Sequence, residues 1–227
     1  MLILKGLIGT AVQIASFAAM LLLPAGTLDW PRAIQFLVAH GVLSLTATIV
    51  LALYAPASLE ARMQGPVHKS QPKADRVISF LLFPLLCAWF VSIPLEVFHL
   101  HWLPAPGFMV SMLGAGLFFI GYAIILISVY QNEFAAPIVK DQSERGHVLV
   151  DTGLYGCIRH PLYLGFVLYF IGVALWLESY LSLFLLSVIF AILVARIFVE
   201  EKTLRETLPG YIEYMTRVRY RIIPFAW

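Results

Sequence analysis

At 227 residues, 61% of them hydrophobic and only 12% charged, the chain has a mean hydropathy of +0.88. An average soluble domain is nearer half apolar and a quarter charged, so the excess apolar surface must face lipid. A net charge of +2 argues against nucleic-acid binding, and the two cysteines, Cys87 and Cys157, have neither metal-ligand spacing nor an expected disulfide partner.

A membrane span needs roughly 20 apolar residues to cross about 30 Å of hydrocarbon. Six segments qualify in chain order: Leu4–Leu23, Ala33–Tyr54, Val77–Phe98, Phe108–Tyr130, Leu162–Leu177 and Leu181–Val199. The first reads as a span rather than a secretory signal, because its only positive charge is Lys5 and its apolar run is long. The fifth is short, and Glu178, Ser179 and Tyr180 alone separate it from the sixth, which predicts a tight antiparallel hairpin. The expected fold is therefore an all-α, polytopic helical membrane bundle, with N-terminal spans over 1–107 and a C-terminal unit over 108–227.

Fourteen of the fifteen Lys and Arg residues lie in the N-terminus, the second and fourth connections and the tail, leaving only Arg32 elsewhere. Six spans place those four regions on one face, which the positive-inside rule makes cytoplasmic. The short polar loops lean towards a bacterial inner membrane rather than the endoplasmic reticulum.

Two stretches on that face are unlike ordinary connectors. The loop over residues 131–161 is long, and such loops are usually functional or disordered. It mixes Gly146, Gly153, Gly156 and Pro161 with Tyr155 and His160, as an ordered wrapping segment would. Pro161 suits the first turn of the fifth span. The tail over residues 200–227 starts as an amphipathic helix that Pro209-Gly210 should stop, followed by a Tyr- and Arg-rich segment.

Chemistry concentrates in two clusters. Residues 146–165 hold His147, Tyr155, Arg159, His160 and Tyr163 at a membrane boundary, where an interfacial belt of Tyr and Arg is the plain alternative. Arg196 and Glu200 stand four apart on one helix face at the end of the sixth span. Charges at such a depth are costly and mark a functional site, although an i,i+4 ion pair with snorkelling ends accounts for them equally well. His40, Glu96, His99 and His101 could line an acceptor tunnel, but His99 and His101 read first as interfacial. Their i,i+2 spacing turns them apart on a helix, so no metal site is expected.

In order, His147, Leu149, Val150, Gly153 and Tyr155 are followed by Arg159, His160, Pro161, Tyr163 and Gly165. Arg196, Glu200, Glu201 and Leu204 come next, then Tyr211, Tyr214 and Pro224. Together these blocks resemble the isoprenylcysteine carboxyl methyltransferase family, over roughly Gly146 to Pro224. The resemblance implies S-adenosyl-L-methionine enclosed by the loop and the tail. His147, Val148, Leu149, Val150, Tyr155, His160, Pro161, Leu162, Tyr163 and Glu200 would contact that cofactor. Arg196 would hold the carboxylate of a lipophilic acceptor entering from the bilayer, and Arg196 and Glu200 would form the catalytic pair. No protein partner is implied. Where eukaryotic members have Gln, seven residues before the position of His147, this chain has Lys140.

The acceptor of highest expectation is the carboxylate of a prenylated cysteine or a similar lipid acid. A phospholipid amine or a small thiol is the alternative within the same chemistry, and it would need a base such as Glu200 or His160. The block Arg159-His160-Pro161 and the tail from Arg219 to Pro224 also resemble NADPH-dependent membrane sterol reductases. The acidic pair Glu200-Glu201 favours the methyltransferase. A scaffold without turnover is the non-enzymatic alternative.

Overall fold

The computed structural model describes residues 1–63, 71–135, 138–139 and 146–227. Lys69, Lys140 and Arg145 lie outside the described residues, and with them the expectation attached to Lys140. The described residues are all-helical: α1 (Leu2–Ala25), α2 (Pro31–Tyr54), α3 (Pro56–Arg62), α4 (Lys73–Leu95), α5 (Phe108–Gln131), α6 (Pro161–Trp176), α7 (Tyr180–Thr207) and α8 (Tyr211–Arg217). A π-helical turn, Glu96–Leu100, extends α4, and a 3-10 turn, Gly153–Gly156, lies before α6.

Five helices are long and apolar enough to cross a membrane: α1, α2, α4 with its π-turn, α5 and α7. The chain is an integral membrane protein. The fifth expected span is met by α6, which has only 16 residues. At 1.5 Å per residue it is about 24 Å long, short of a full hydrocarbon crossing. The sixth is longer than the apolar run that predicts it. Instead of a separate amphipathic helix at Glu200, α7 continues unbroken to Thr207 and carries Glu200 and Glu201 in its last two turns.

Local signals set the ends. Pro31, Pro56 and Pro161 each open a helix at its first turn, where a missing N–H costs nothing. Gly26 closes α1 in the left-handed conformation, its N–H bonded back to Leu22 and Leu23. Ser179 caps α7, its hydroxyl oxygen accepting from the N–H of Ser182 at 3.1 Å. Gly210, at φ 80°, makes the turn between α7 and α8.

The most intimate helix pair is α5 with α6, although the long loop separates them in sequence. The cause is glycine. Gly114 and Gly121 on α5 face Gly165 and Gly172 on α6, both pairs spaced by seven residues. A methyl at any of the four would come closer than 3.0 Å to the opposing helix, against backbone nitrogen in each case. Small residues at such spacing let two backbones approach where lipid offers no hydrophobic drive to associate. The hairpin predicted between α6 and α7 forms, but it is the looser pair.

Around this pair an aromatic core gathers Phe36, Trp89, Phe90, Phe118, Tyr169 and Trp176. Trp89 ties α4 to α7 by donating to the Ser182 carbonyl at 2.8 Å. At the opposite end from the α6–α7 turn, the basic segments converge. Arg62 of α3 donates to the Ala135 carbonyl at 2.8 Å, and Ser58 donates to the carbonyl of Val129 on α5. Burial lowers the Arg62 guanidinium to about 10, which leaves it charged at neutral pH. Leu2, Leu51, Leu59, Val129 and Leu162 pack together beside it. The N-terminus, the second and fourth connections and the end of α7 thus share one end of the bundle.

Candidate active site

A cleft at this basic end encloses about 840 Å³, counted out to its open mouth. It is walled by the end of α5, the loop before α6, the first turn of α6, the last turns of α7, and α8. Their meeting depends on one carboxylate. Glu201 is fully buried, and Arg159 Nε donates to its Oε1 at 2.9 Å. His160 Nε2 stands 3.3 Å from the same oxygen, and Arg221 donates to both oxygens at 3.1 and 3.2 Å. Arg159 also donates to the carbonyls of Val218 and Arg219, each at 2.8 Å. The N–H groups of Arg159 and His160 bond to the carbonyls of Tyr220 and Arg221. Loop and tail are therefore laced together through Glu201.

The neighbouring glutamate points elsewhere. Glu200 lines the cleft, and its Oε2 accepts from the Tyr163 hydroxyl at 2.8 Å. Arg196, one turn earlier, lines it too, with its Nε 3.0 Å from Asp75 Oδ1. Asp75 is itself buried, its Oδ2 accepting from Gln71 at 2.7 Å and from the Val139 N–H at 2.9 Å. The guanidinium is thus oriented from α4, outside the C-terminal half.

Of the residues expected in the site, His147, Leu149, Val150, Tyr155, His160, Leu162, Tyr163, Arg196 and Glu200 line the cleft. Val148 does not: it is 65% exposed. Pro161 is buried at the head of α6 and sets its direction rather than the cleft wall. The His147 ring lies tilted against Phe134, with ring centroids 4.6 Å apart. Tyr155 hangs from Tyr214, whose hydroxyl donates to its carbonyl at 2.7 Å. Its 3-10 turn requires Gly153 at φ 59°, where a side chain would strike Gln131, while Gln131 Oε1 accepts from the Leu154 N–H at 3.1 Å.

Sequence reasoning missed several lining residues: Asn132, Phe134, Thr203, Leu208, and Tyr211 as a wall residue. It missed Asp75 entirely, for nothing in a lone Asp before a distant span points to Arg196. Tyr211 has the strongest structural signal. Its hydroxyl is buried and has no hydrogen-bond partner among the described residues. Burial, then the nearby charges of Glu201 and Glu200, push its phenol well above the ordinary range, so it remains a neutral donor.

Residues 109–209, which run from the start of α5 to just past α7, match the phospholipid methyltransferase family. The protein-S-isoprenylcysteine O-methyltransferase of Saccharomyces cerevisiae is 38% identical over 109 residues, covering 44% of this chain and 46% of that protein. The enzyme of the same name from Schizosaccharomyces pombe is 31% identical over 61 residues, covering 27% of this chain and 26% of that protein. The C-terminal half of the chain is thus similar to phospholipid and isoprenylcysteine methyltransferases. The match spans less than half the length of either relative. Within the family segment lie α5, the loop, α6 and α7, and so Arg159, His160, Tyr163, Arg196, Glu200 and Glu201. Tyr211 and Tyr214, which close the cleft from α8, fall just beyond it, and Asp75 falls well before it.

Proposed function

We propose that the chain transfers a methyl group from S-adenosylmethionine to a lipid-linked carboxylate, most simply that of a prenylated cysteine. One observation supports this reading above the others. The cleft presents Arg196 and Glu200, a guanidinium and a carboxylate one helical turn apart, at the charged end of α7 beyond its apolar run.

The residues suit the methyl donor. It carries a sulfonium, an amino-acid end and an adenine, and the wall offers a carboxylate (Glu200), aromatic rings (Phe134, His147, Tyr155) and the unsatisfied Tyr211 donor. Glu200 and Tyr163 would hold the cationic part, and His147 with Leu149 and Val150 would hold the ring. When bound, this group supplies an already activated methyl, so the protein's task is alignment and exclusion of water. Arg196, held through Nε by Asp75, would grip the acceptor carboxylate, which Arg suits bidentately. That carboxylate is ionised at neutral pH and needs no base. Tyr155 and Tyr214 stay protonated because burial raises both phenols, so neither offers one. The cleft lies on the cytoplasmic face if the convergence of basic segments follows the positive-inside rule. Residues 108–227 would form the catalytic unit, with α4 lending Asp75. A bacterial inner membrane is the setting we favour.

Calorimetric titration of the detergent-solubilised protein with S-adenosylhomocysteine and NADPH in parallel tests the donor. Saturable binding of the first alone is expected, and binding of NADPH alone would overturn the proposal in favour of a reductase. Methyl transfer from labelled donor to N-acetyl-S-farnesylcysteine, but not to phosphatidylethanolamine, tests the acceptor.

A further inference from the structure

A second cavity lies among α1, α2, α3, α4, α5 and α6, about 2440 Å³ on the same count as the cleft, open in part to its surroundings, with Lys5 and Arg62 in its wall. The two share no lining residue; Val129, which lines the cavity, packs in one cluster with Leu162, which lines the cleft. The cavity wall is mainly apolar, with Phe17, Met20, Phe90, Leu126 and Phe166 among its members.

Set into that wall is a chain of four polar side chains from three helices. Tyr122 donates to Ser44 Oγ at 3.0 Å, Ser44 Oγ stands 3.2 Å from His40 Nε2, and His40 Nδ1 stands 3.1 Å from the Tyr169 hydroxyl. All four side chains line the cavity, and His40 and Tyr169 are buried. A neutral imidazole carries one proton, as does each hydroxyl, so four groups bring four protons to three links. One proton is left without an acceptor. It sits on Tyr169 when Nδ1 carries the ring hydrogen, and on Ser44 when Nε2 does. A charged imidazole would leave more unmet protons, not fewer.

Depth decides what could accept it. Each of the four residues stands within three residues of its helix midpoint, roughly 4 Å at 1.5 Å per residue. Phospholipid ester carbonyls lie at the edge of the hydrocarbon, roughly 15 Å from the middle. They cannot reach a donor at this level.

We infer that this cavity binds a long apolar molecule, isoprenoid or straight-chain, that carries a carbonyl oxygen within its hydrocarbon. The Tyr122–Ser44–His40–Tyr169 chain donates to that oxygen at mid-bilayer depth. The site is independent of the methyltransferase reading, because nothing in it requires a methyl donor.

Isotope-edited infrared spectroscopy tests it on the full chain in lipid nanodiscs, with 2-pentadecanone unlabelled and labelled with carbon-13 at the carbonyl. A second carbonyl band at lower frequency, saturating near one ketone per protein and absent from empty nanodiscs, is expected. The variant H40F/S44A/Y122F/Y169F should lose that band. The single change Tyr169→Phe, which passes the spare donor to His40 or Ser44, should shift it without abolishing it, and this arm stands if the fourfold variant fails to fold. An identical free-ketone spectrum with and without protein, or a low-frequency band indifferent to both variants, would overturn the inference. No methyl donor or acceptor is present, so failure of the methyltransferase reading would leave the result untouched.

Discussion

Two adjacent glutamates offer the sharpest test of how the site is built. Glu201→Gln preserves size and one acceptor but removes the charge that Arg159, His160 and Arg221 share. Arg159 is as deeply buried as its partner, at 4% and 0% side-chain exposure, so the change strands a cation away from water. Breaking one partner of a buried ion pair costs about 3–5 kcal/mol, and the retained acceptor puts this case near the lower end. For a chain of this length each kcal/mol lowers Tm by about 2–4 °C, so a fall of about 6–12 °C is expected. Glu200→Gln should differ. Glu200 accepts from the Tyr163 hydroxyl, a glutamine oxygen can replace it, and the cost should stay within about 1 kcal/mol. Yet methyl transfer should collapse. Thermal unfolding of both variants in detergent, followed by size-exclusion chromatography, measures the contrast. If Glu201→Gln melts with the wild type, or the two variants melt together, the hub assigned to Glu201 is wrong.

Three further outcomes follow from the geometry. Tyr211→Phe removes a hydroxyl with no internal partner, so Tm should hold while S-adenosylhomocysteine binds about tenfold more weakly, the effect of ~1.4 kcal/mol; unchanged affinity by calorimetry would remove Tyr211 from the cofactor wall. Asp75→Asn keeps the bonds from Gln71 and Val139 within reach but breaks the ion pair with Arg196, so KM for the acceptor should rise about tenfold with S-adenosylhomocysteine affinity intact. Gly172→Val forces a side chain against the Phe118 backbone and should cost at least the ~1–3 kcal/mol of overpacking, whereas Gly116→Val on α5 meets open space; the monodisperse yields of the two should diverge.

Hydropathy made the bundle legible because each span is a continuous local signal. The expected ends of α1, α2, α5 and α6 fall within a few residues of the observed ones. What hydropathy could not report is partnership. The short link of Glu178, Ser179 and Tyr180 points to α6 and α7 as the closest pair, while glycines at a seven-residue spacing make it α5 and α6. Nor does an apolar run show where a helix ends once it leaves lipid. The last two turns of α7 are rich in charged residues, so they lie beyond the run that ends at Val199, although the backbone continues without a break to Thr207.

The site was legible where its residues lie close in sequence. The loop block and the Arg196–Glu200 turn read as clusters, and nine of the eleven residues expected there line the cleft. Asp75 and Tyr211 lie on opposite sides of the matched segment; Asp75 is significant only through Arg196, far away in the chain, and Tyr211 only through a cleft that distant segments build. Spacing also cannot tell adjacent carboxylates apart. Successive helical residues point about 100° apart, so Glu200 and Glu201 cannot both face one cleft. The protein uses that rotation: one carboxylate opens to the cleft beside Tyr163, while the other turns inward and fastens the tail that closes it. The Glu-Glu pair is therefore better understood as a joint between cleft wall and scaffold than as two copies of one acid. Substitutions there should divide between activity and folding at a single peptide bond.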